Sequence, residues 1–203
     1  MLAILTGDII NSRDSSAKTW LSVLKKALAV VSEGNNWEIF RGDSFQMQST
    51  AEEALVKAIY VKAALKTIKN LDVRIAIGIG ETEFSSKKIT ESNGEAFIYS
   101  GEKLDELKEE RSTLAVRSPW HEFDYEMNIS IRLALITMDS WSPISAEMVK
   151  LSIENRGVSQ TDLAELTGKS QSTVSEALKR ARFTDIMELD ALYRKKISSL
   201  IKT

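Results

Sequence analysis

The chain has 203 residues, 43% of them apolar and 28% charged, with two prolines and a net charge of −2. That balance suits one large domain, or a medium domain plus a small one, and excludes collagen-like, mucin-like and wholly disordered chains. With no cysteine, a disulfide framework, a thiolate metal site and a cysteine nucleophile are excluded. The lone histidine, His121, all but removes a Ser-His-Asp triad or a multi-histidine metal site. Any metal is therefore expected on oxygen ligands, which points to magnesium or manganese.

No stretch reaches the roughly 18–20 apolar residues of a membrane span. The opening MLAILTGDII lacks the basic start of a signal peptide, so a cytoplasmic location and no membrane partner are expected. The small net charge argues against a general polyanion binder but leaves room for a local DNA-reading element.

Taken in order, LAILTGD (2–8) reads as a strand, and 14–31 as a helix with Trp20, Leu21, Leu24, Leu28 and Val31 on one side. Asp14 or Ser15 is the expected cap. WEIFR (37–41), the Gly42-Asp43 turn and SFQMQ (44–48) form a hairpin. A helix over 51–68, a strand DVRIAIGIG (72–80), a polar loop, a helix over 94–110 and a strand TLAVRS (113–118) follow. The class is α+β, and the first six elements are those of a ferredoxin-like split βαβ unit.

After Pro119 the strands stop. Phe123, Met127, Ile131, Leu135 and Met138 recur at helical spacing up to Trp141-Ser142-Pro143, and the rest reads as all helix. The expected organisation is a sheet domain over 1–120, a connecting or dimerisation helix over 121–142, and an all-α domain over 143–203. The last segment has ten Lys and Arg against eight Asp and Glu, so it is slightly positive while the remainder is negative.

The segment GVSQTDLAELTGKSQSTVSEALKRA (157–181) has the spacing of a helix-turn-helix. Ser159 caps a first helix with Leu163, Ala164 and Leu166 inward, and 167–170 makes the turn, where glycine permits a left-handed backbone. Ser170 caps a second helix that buries Val174, Leu178 and Ala181. Gln171, Ser172, Thr173 and Ser175 at its exposed front are expected to reach base edges of duplex DNA. Lys179, Arg180 and Arg182 suit phosphates. The blander alternative is a helical hairpin that packs on the first domain or a second subunit.

Two acidic residues stand out by position: Asp8 ends the first strand and Asp43 sits in the hairpin turn. In a split βαβ sheet those strands are antiparallel neighbours, so the two carboxylates approach each other at one edge of the sheet. They repel unless a cation or a shared proton intervenes, and a divalent ion is the natural solution. Backbone N–H groups of Ile9, Asn11, Ser12 and Arg13, leading into a helix, favour phosphate. Taken singly, Asp8 reads as a cap and Asp43 as a turn residue.

TGDIINSR (6–13), IFRGDSFQM (39–47), VRIAIGIG (73–80) and NGEAFIYSG (93–101), followed by the helix-turn-helix pattern, resemble the SatD family of bacterial proteins over nearly the whole chain. The first hundred or so residues resemble, more distantly, the palm-like core of class III nucleotidyl cyclases. That likeness implies Asp8 and Asp43 as ligands of metal ions on a triphosphate, with Ile9 to Ser12 along the phosphates. It also implies an asparagine and an arginine on the helix after Gly94, where this chain has Ile98 and Glu102. Arg13, Arg41 or Lys103 are the candidate substitutes, and a poor cyclase is expected.

Other signals carry less. Arg41-Gly42-Asp43 spells an adhesion tripeptide by coincidence, and Asn128-Ile129-Ser130 is a glycosylation sequon inside a helix. Gly78 and Gly80 lack the third glycine and the immediate helix of a dinucleotide fingerprint. His121, beside Pro119 and Trp120, reads as structural. The expected function is a DNA-binding transcriptional regulator whose degenerate cyclase-like domain senses a metal-bound nucleotide or similar phosphorylated ligand. A metal-dependent enzyme of nucleotidyl cyclase or nucleotidyltransferase type is the alternative, and a domain that only dimerises is a third. A homodimer is expected, with the apolar helix Phe123 to Met138 as its seam.

Overall fold

The structure is a computed structural model that describes residues 1–14, 16–32, 36–81, 89 and 92–202. Among these the elements run β1 (Leu2–Ile10), a short 3-10 turn (Ser12–Asp14), α1 (Ala17–Val31), β2 (Trp37–Phe40), β3 (Ser44–Thr50), α2 (Ala54–Lys66) and β4 (Asp72–Gly80). Then follow α3 (Glu95–Glu110), β5 (Leu114–Arg117), α4 (His121–Met138), α5 (Pro143–Glu154), α6 (Gln160–Thr167), α7 (Gln171–Arg180) and α8 (Phe183–Ile201). The five strands form one mixed sheet in the order β2-β3-β1-β4-β5. β1 runs antiparallel to β3 and β4, β2 antiparallel to β3, and β5 parallel to β4.

Alternation along the strands decides what covers each face. Ala3, Leu5 and Ile9 of β1 join Phe45, Met47, Val73, Ile75, Ile77 and Ile79 in the main hydrophobic cluster, on the α2 side. On the other face, Ile4 meets Ile89 and Ala96, while Ala76 meets Leu104, Leu107 and Ala115. α3 lies against that second face at close range. A Cβ added at Gly78 would stand 2.2 Å from the Ala96 carbonyl oxygen and 2.4 Å from the Ser100 amide. The glycines of VRIAIGIG thus serve helix-on-strand approach.

α2 is the central helix: every residue from Ala54 to Lys66 is buried. The same apolar cluster continues from the sheet through α2 to Ala146 and Val149 of α5 and Tyr193 and Ile197 of α8. Tyr193 donates its hydroxyl to the Ala51 carbonyl at 2.7 Å, fixing α8 beside the start of α2. β5 is an edge strand, yet its Val116 amide and carbonyl are both met by the side-chain amide of Asn128 on α4, each at 2.8 Å. This contact closes the exposed edge and commits the asparagine of the sequon.

Several expectations are revised. α1 starts at Ala17 behind Ser16, not at Asp14 or Ser15; Asp14 ends the 3-10 turn, and Ser15 lies outside the described residues. The polar loop between β4 and α3 falls mostly outside them as well. Phe123, Met127, Ile131, Leu135 and Met138 are buried within the chain, in the same cluster as Leu114 and Val116 of β5 and Tyr193 of α8. That face of α4 has no area left for a dimer seam. The apolar residues α4 does expose are Tyr125, Leu133 and Ile136.

α6 and α7 are joined by a three-residue turn, with Gly168 at φ 64° and the Lys169 amide bonded back to the Ala164 carbonyl at 3.1 Å. Both helices begin on serine caps: Ser159, in a reciprocal capping box with Asp162, and Ser170. Leu163, Ala164, Val174, Leu178 and Ala181 are buried, as the pattern predicts, and Ala177 joins them, but Leu166 is 62% exposed. With Leu163 and Ala164 inward, helical rotation of about 100° per residue turns Leu166 roughly 110° off that face and brings Thr167 onto it.

Candidate functional site

Asp8 and Asp43 are brought side by side, as the antiparallel β1–β3 ladder requires. Asp8 stands opposite Ser44, and the Ile9 amide donates to the Asp43 carbonyl at 3.1 Å. Asp8 shares the α3 face of β1 with Ile4 and Thr6 by strand alternation. Their carboxylates, however, have separate partners. Asp8 stands opposite Arg74 in the β1–β4 ladder, and Arg74 Nη1 reaches its two oxygens at 2.9 and 3.1 Å. Ser12 donates its hydroxyl to Asp43 Oδ2 at 2.8 Å.

Arg74 is fixed further by Nε donating to the Ser112 carbonyl at 3.3 Å. Its side chain is 17% exposed and that of Asp8 19%, so the pair is mostly withdrawn from water. Among the described residues, no group of three or more His, Asp or Glu side chains is arranged to hold a metal ion. Asp8 thus meets an internal counter-cation in Arg74, while Asp43 is met by the Ser12 hydroxyl.

The stretch read as a phosphate loop is divided. Ile9 and Ile10 belong to β1; the Ile9 amide is spent on Asp43, and its side chain is 5% exposed. Asn11 takes a left-handed backbone at φ 62° and donates its side-chain amide to the Asn70 carbonyl at 3.1 Å. Ser12 and Arg13 fall in the 3-10 turn, so the N-terminus of α1 begins beyond them. Arg13 is exposed.

On α3, Ile98 is exposed, and Glu102 accepts from Arg117 Nη1 at 3.0 Å. Lys103 is committed to Glu106 at 2.9 Å. Arg74, which no motif singles out, is the cation that meets Asp8. Within apolar α2, Lys62 lies 2.7 Å from Asp72 and 2.7 Å from Asp139, while Lys66 lies 3.0 Å from Asp72. A lysine in an otherwise apolar run is the only signal for these contacts in the sequence, and it does not name the partners.

At the C-terminal end, Gln171, Ser172 and Thr173 are exposed on the first turn of α7, and Ser175 is half-buried. Ser170 Oγ lies 2.9 Å from Ser172 Oγ and 2.8 Å from Thr173 Oγ1, and Gln171 donates to Gln160 at 3.3 Å. Lys179 and Arg180 are exposed and form no ion pair among the described residues, while Arg182 pairs with Asp185 at 2.7 Å. Lys169 reaches Glu147 of α5 at 3.4 Å. The end of α7 is held by Trp141, whose indole N–H donates to the Ala181 carbonyl at 3.0 Å.

Among the described residues, no helix is long and apolar enough to cross a membrane. No family model, curated protein or solved structure matches the chain.

Proposed function

We propose that the protein is a DNA-binding transcriptional regulator of the SatD type, with a sheet domain that senses a phosphorylated ligand. Its main support is the α6–α7 pair: two serine-capped helices joined at a left-handed glycine, packed through Leu163, Ala164, Val174 and Leu178. On this reading the pair is a helix-turn-helix and α7 its recognition helix. Gln171, Ser172, Thr173 and Ser175 then read base edges, and Lys179, Arg180 and Arg182 neutralise phosphates.

Selection of full-length protein against random duplexes at moderate salt tests this. A recovered motif whose specificity relaxes in Q171A/T173A is the expected result. In K179Q or R180Q, binding weakens on all sequences and the salt dependence becomes shallower by about one charge per contact. Recovery of no motif rejects the reading.

A second reading is favoured by one observation, the placement of Asp8 and Asp43 on adjacent antiparallel strands. With the strand order β2-β3-β1-β4, it supports a ferredoxin-like, cyclase-like sheet in which magnesium or manganese accompanies a nucleoside triphosphate. The Arg74 pair and the residues Ile98 and Glu102 weigh against turnover, since an isoleucine offers the ribose no hydrogen bond and a glutamate repels phosphate. Magnesium-dependent nucleotide binding that D8N and D43N abolish, with no cyclic product from wild type, fits a sensor. Steady conversion of ATP or GTP to a cyclic or oligomeric product fits the enzyme.

A further inference from the structure

A cleft of about 570 Å³ opens where the exit of β1, the end of α2, the start of β4, the cap of α3 and the α4–α5 junction meet. That volume lies within the roughly 300–1,000 Å³ of small-molecule sites. Its walls carry four cations, Lys66, Lys69, Arg74 and Arg111, and two carboxylates, Asp72 and Asp139.

Charge matching decides what the cleft attracts. Asp72 and Asp139 are neutralised by Lys62 and Lys66, and Arg74 is neutralised by Asp8. Lys69 and Arg111 remain exposed, with no ion pair among the described residues. Two unmatched positive charges at the rim of a concave site favour an anion carrying about two negative charges. Asn11 and Asn70 add polar groups to the wall, while Ile10, Ile68, Trp141 and Pro143 supply apolar surface for the body of a ligand.

The backbone is unusual at the same place. Five non-glycine residues among those described have positive φ, and three of them, Asn11 (62°), Asn70 (65°) and Arg111 (54°), line this cleft. Arg111 holds the left-handed cap of α3, a position glycine takes most readily. That cap places the Arg111 side chain at the rim of the cleft.

Trp141 connects this wall to the far end of α7 through its bond to Ala181. We propose that the cleft binds a phosphate monoester, its dianion between Lys69 and Arg111 and its organic part toward Trp141, and that occupancy is transmitted to α7 through Trp141. The transmission deepens the regulator reading by giving it a sensor site. The binding itself holds whether or not α7 touches DNA.

Full-length protein is titrated in a calorimeter with AMP, ribose 5-phosphate, inorganic phosphate and adenosine, and tryptophan emission is followed in parallel. At least one of the two monoesters is expected to saturate with a dissociation constant below about 1 mM. Inorganic phosphate binds more weakly, and adenosine does not bind. K69Q/R111Q weakens the monoester by about tenfold or more, while K25Q/K26Q, at exposed lysines of α1 outside the cleft, leaves it unchanged. Emission changes on binding, and W141F loses that change while still binding by calorimetry. The proposal is overturned if neither monoester binds, if K69Q/R111Q binds as wild type does, or if binding leaves emission untouched. Failure to select a DNA motif rejects the regulator reading alone, because the calorimetric result does not involve DNA.

Discussion

Arg74 Nη1 lies 2.9 Å from one carboxylate oxygen of Asp8 and 3.1 Å from the other, directly across the β1–β4 ladder. The acidic end of β1 therefore finds its counter-charge on the neighbouring strand. Withdrawing one partner strands a mostly buried charge, which costs more than the pair contributes when intact.

R74A is accordingly expected to lose about 2–3 kcal/mol of unfolding free energy in urea, and adding D8N in the same chain to restore more than half of it. If Arg74 occupies a place a divalent ion would take, R74A also gains a magnesium-dependent rise in melting temperature that wild type lacks. A magnesium-dependent rise already present in wild type shows that the guanidinium does not block the ion.

Gly78 and Gly101 make a contrasting pair. G78A places a methyl group 2.2 Å from the Ala96 carbonyl oxygen, a backbone atom that cannot yield cheaply. A loss of about 3 kcal/mol, or no folded protein, is expected. At Gly101, within α3, an added Cβ meets nothing within 4 Å. G101A should gain about 0.5–1 kcal/mol from helix propensity. Denaturant midpoints of the two variants test this, and equal effects would mean that α3 does not pack as described.

Burial pushes the carboxyl of Asp190 above the ordinary aspartate range, against the opposing pull of its bond from Arg194. A raised value means the folded state holds its proton more tightly than the unfolded one. The stability this confers is complete below the unfolded pKa and is lost as pH rises through the folded one. Asn at this position mimics the protonated form. The stability of wild type relative to D190N should therefore fall as pH is raised from about 3 to 7 in a urea titration series. A flat or rising difference refutes the assignment.

The proposed homodimer is expected to use the outer stripe of α4, where Tyr125, Leu133 and Ile136 are 70%, 64% and 74% exposed. Removal of those side chains from water is the available driving force. Sedimentation equilibrium should give a concentration-dependent mass that L133E/I136E reduces to the monomer value. A monomer mass at every concentration rejects the dimer.

Local pattern determined most of the architecture. Strand alternation in DVRIAIGIG locates β4 at 72–80, and the spacing of Phe123, Met127, Ile131, Leu135 and Met138 defines the buried face of α4. Serine caps and Gly168 mark the ends of α6 and α7, because capping is an interaction within four residues of chain. The backbone adjacency of Asp8 and Asp43 follows from strand order alone, whereas the partners of their carboxylates do not.

Tertiary structure decided how those pieces meet. Arg74 and Asp8 are 66 residues apart, and only the β4–β1 register sets one opposite the other. Lys62 and Asp72 are ten residues apart, but Asp139 comes from the far end of α4, so no local window of sequence contains the three together. The buried face of α4 read as a dimer seam because periodicity reveals that a face is covered, not by what. Here β5 and α8 of the same chain cover it. The cleft beside Arg111 has the same origin: five segments bound it, and its net charge depends on which carboxylates the buried lysines have already claimed. Such pairings depend on distance in space, which hydrophobic periodicity does not encode.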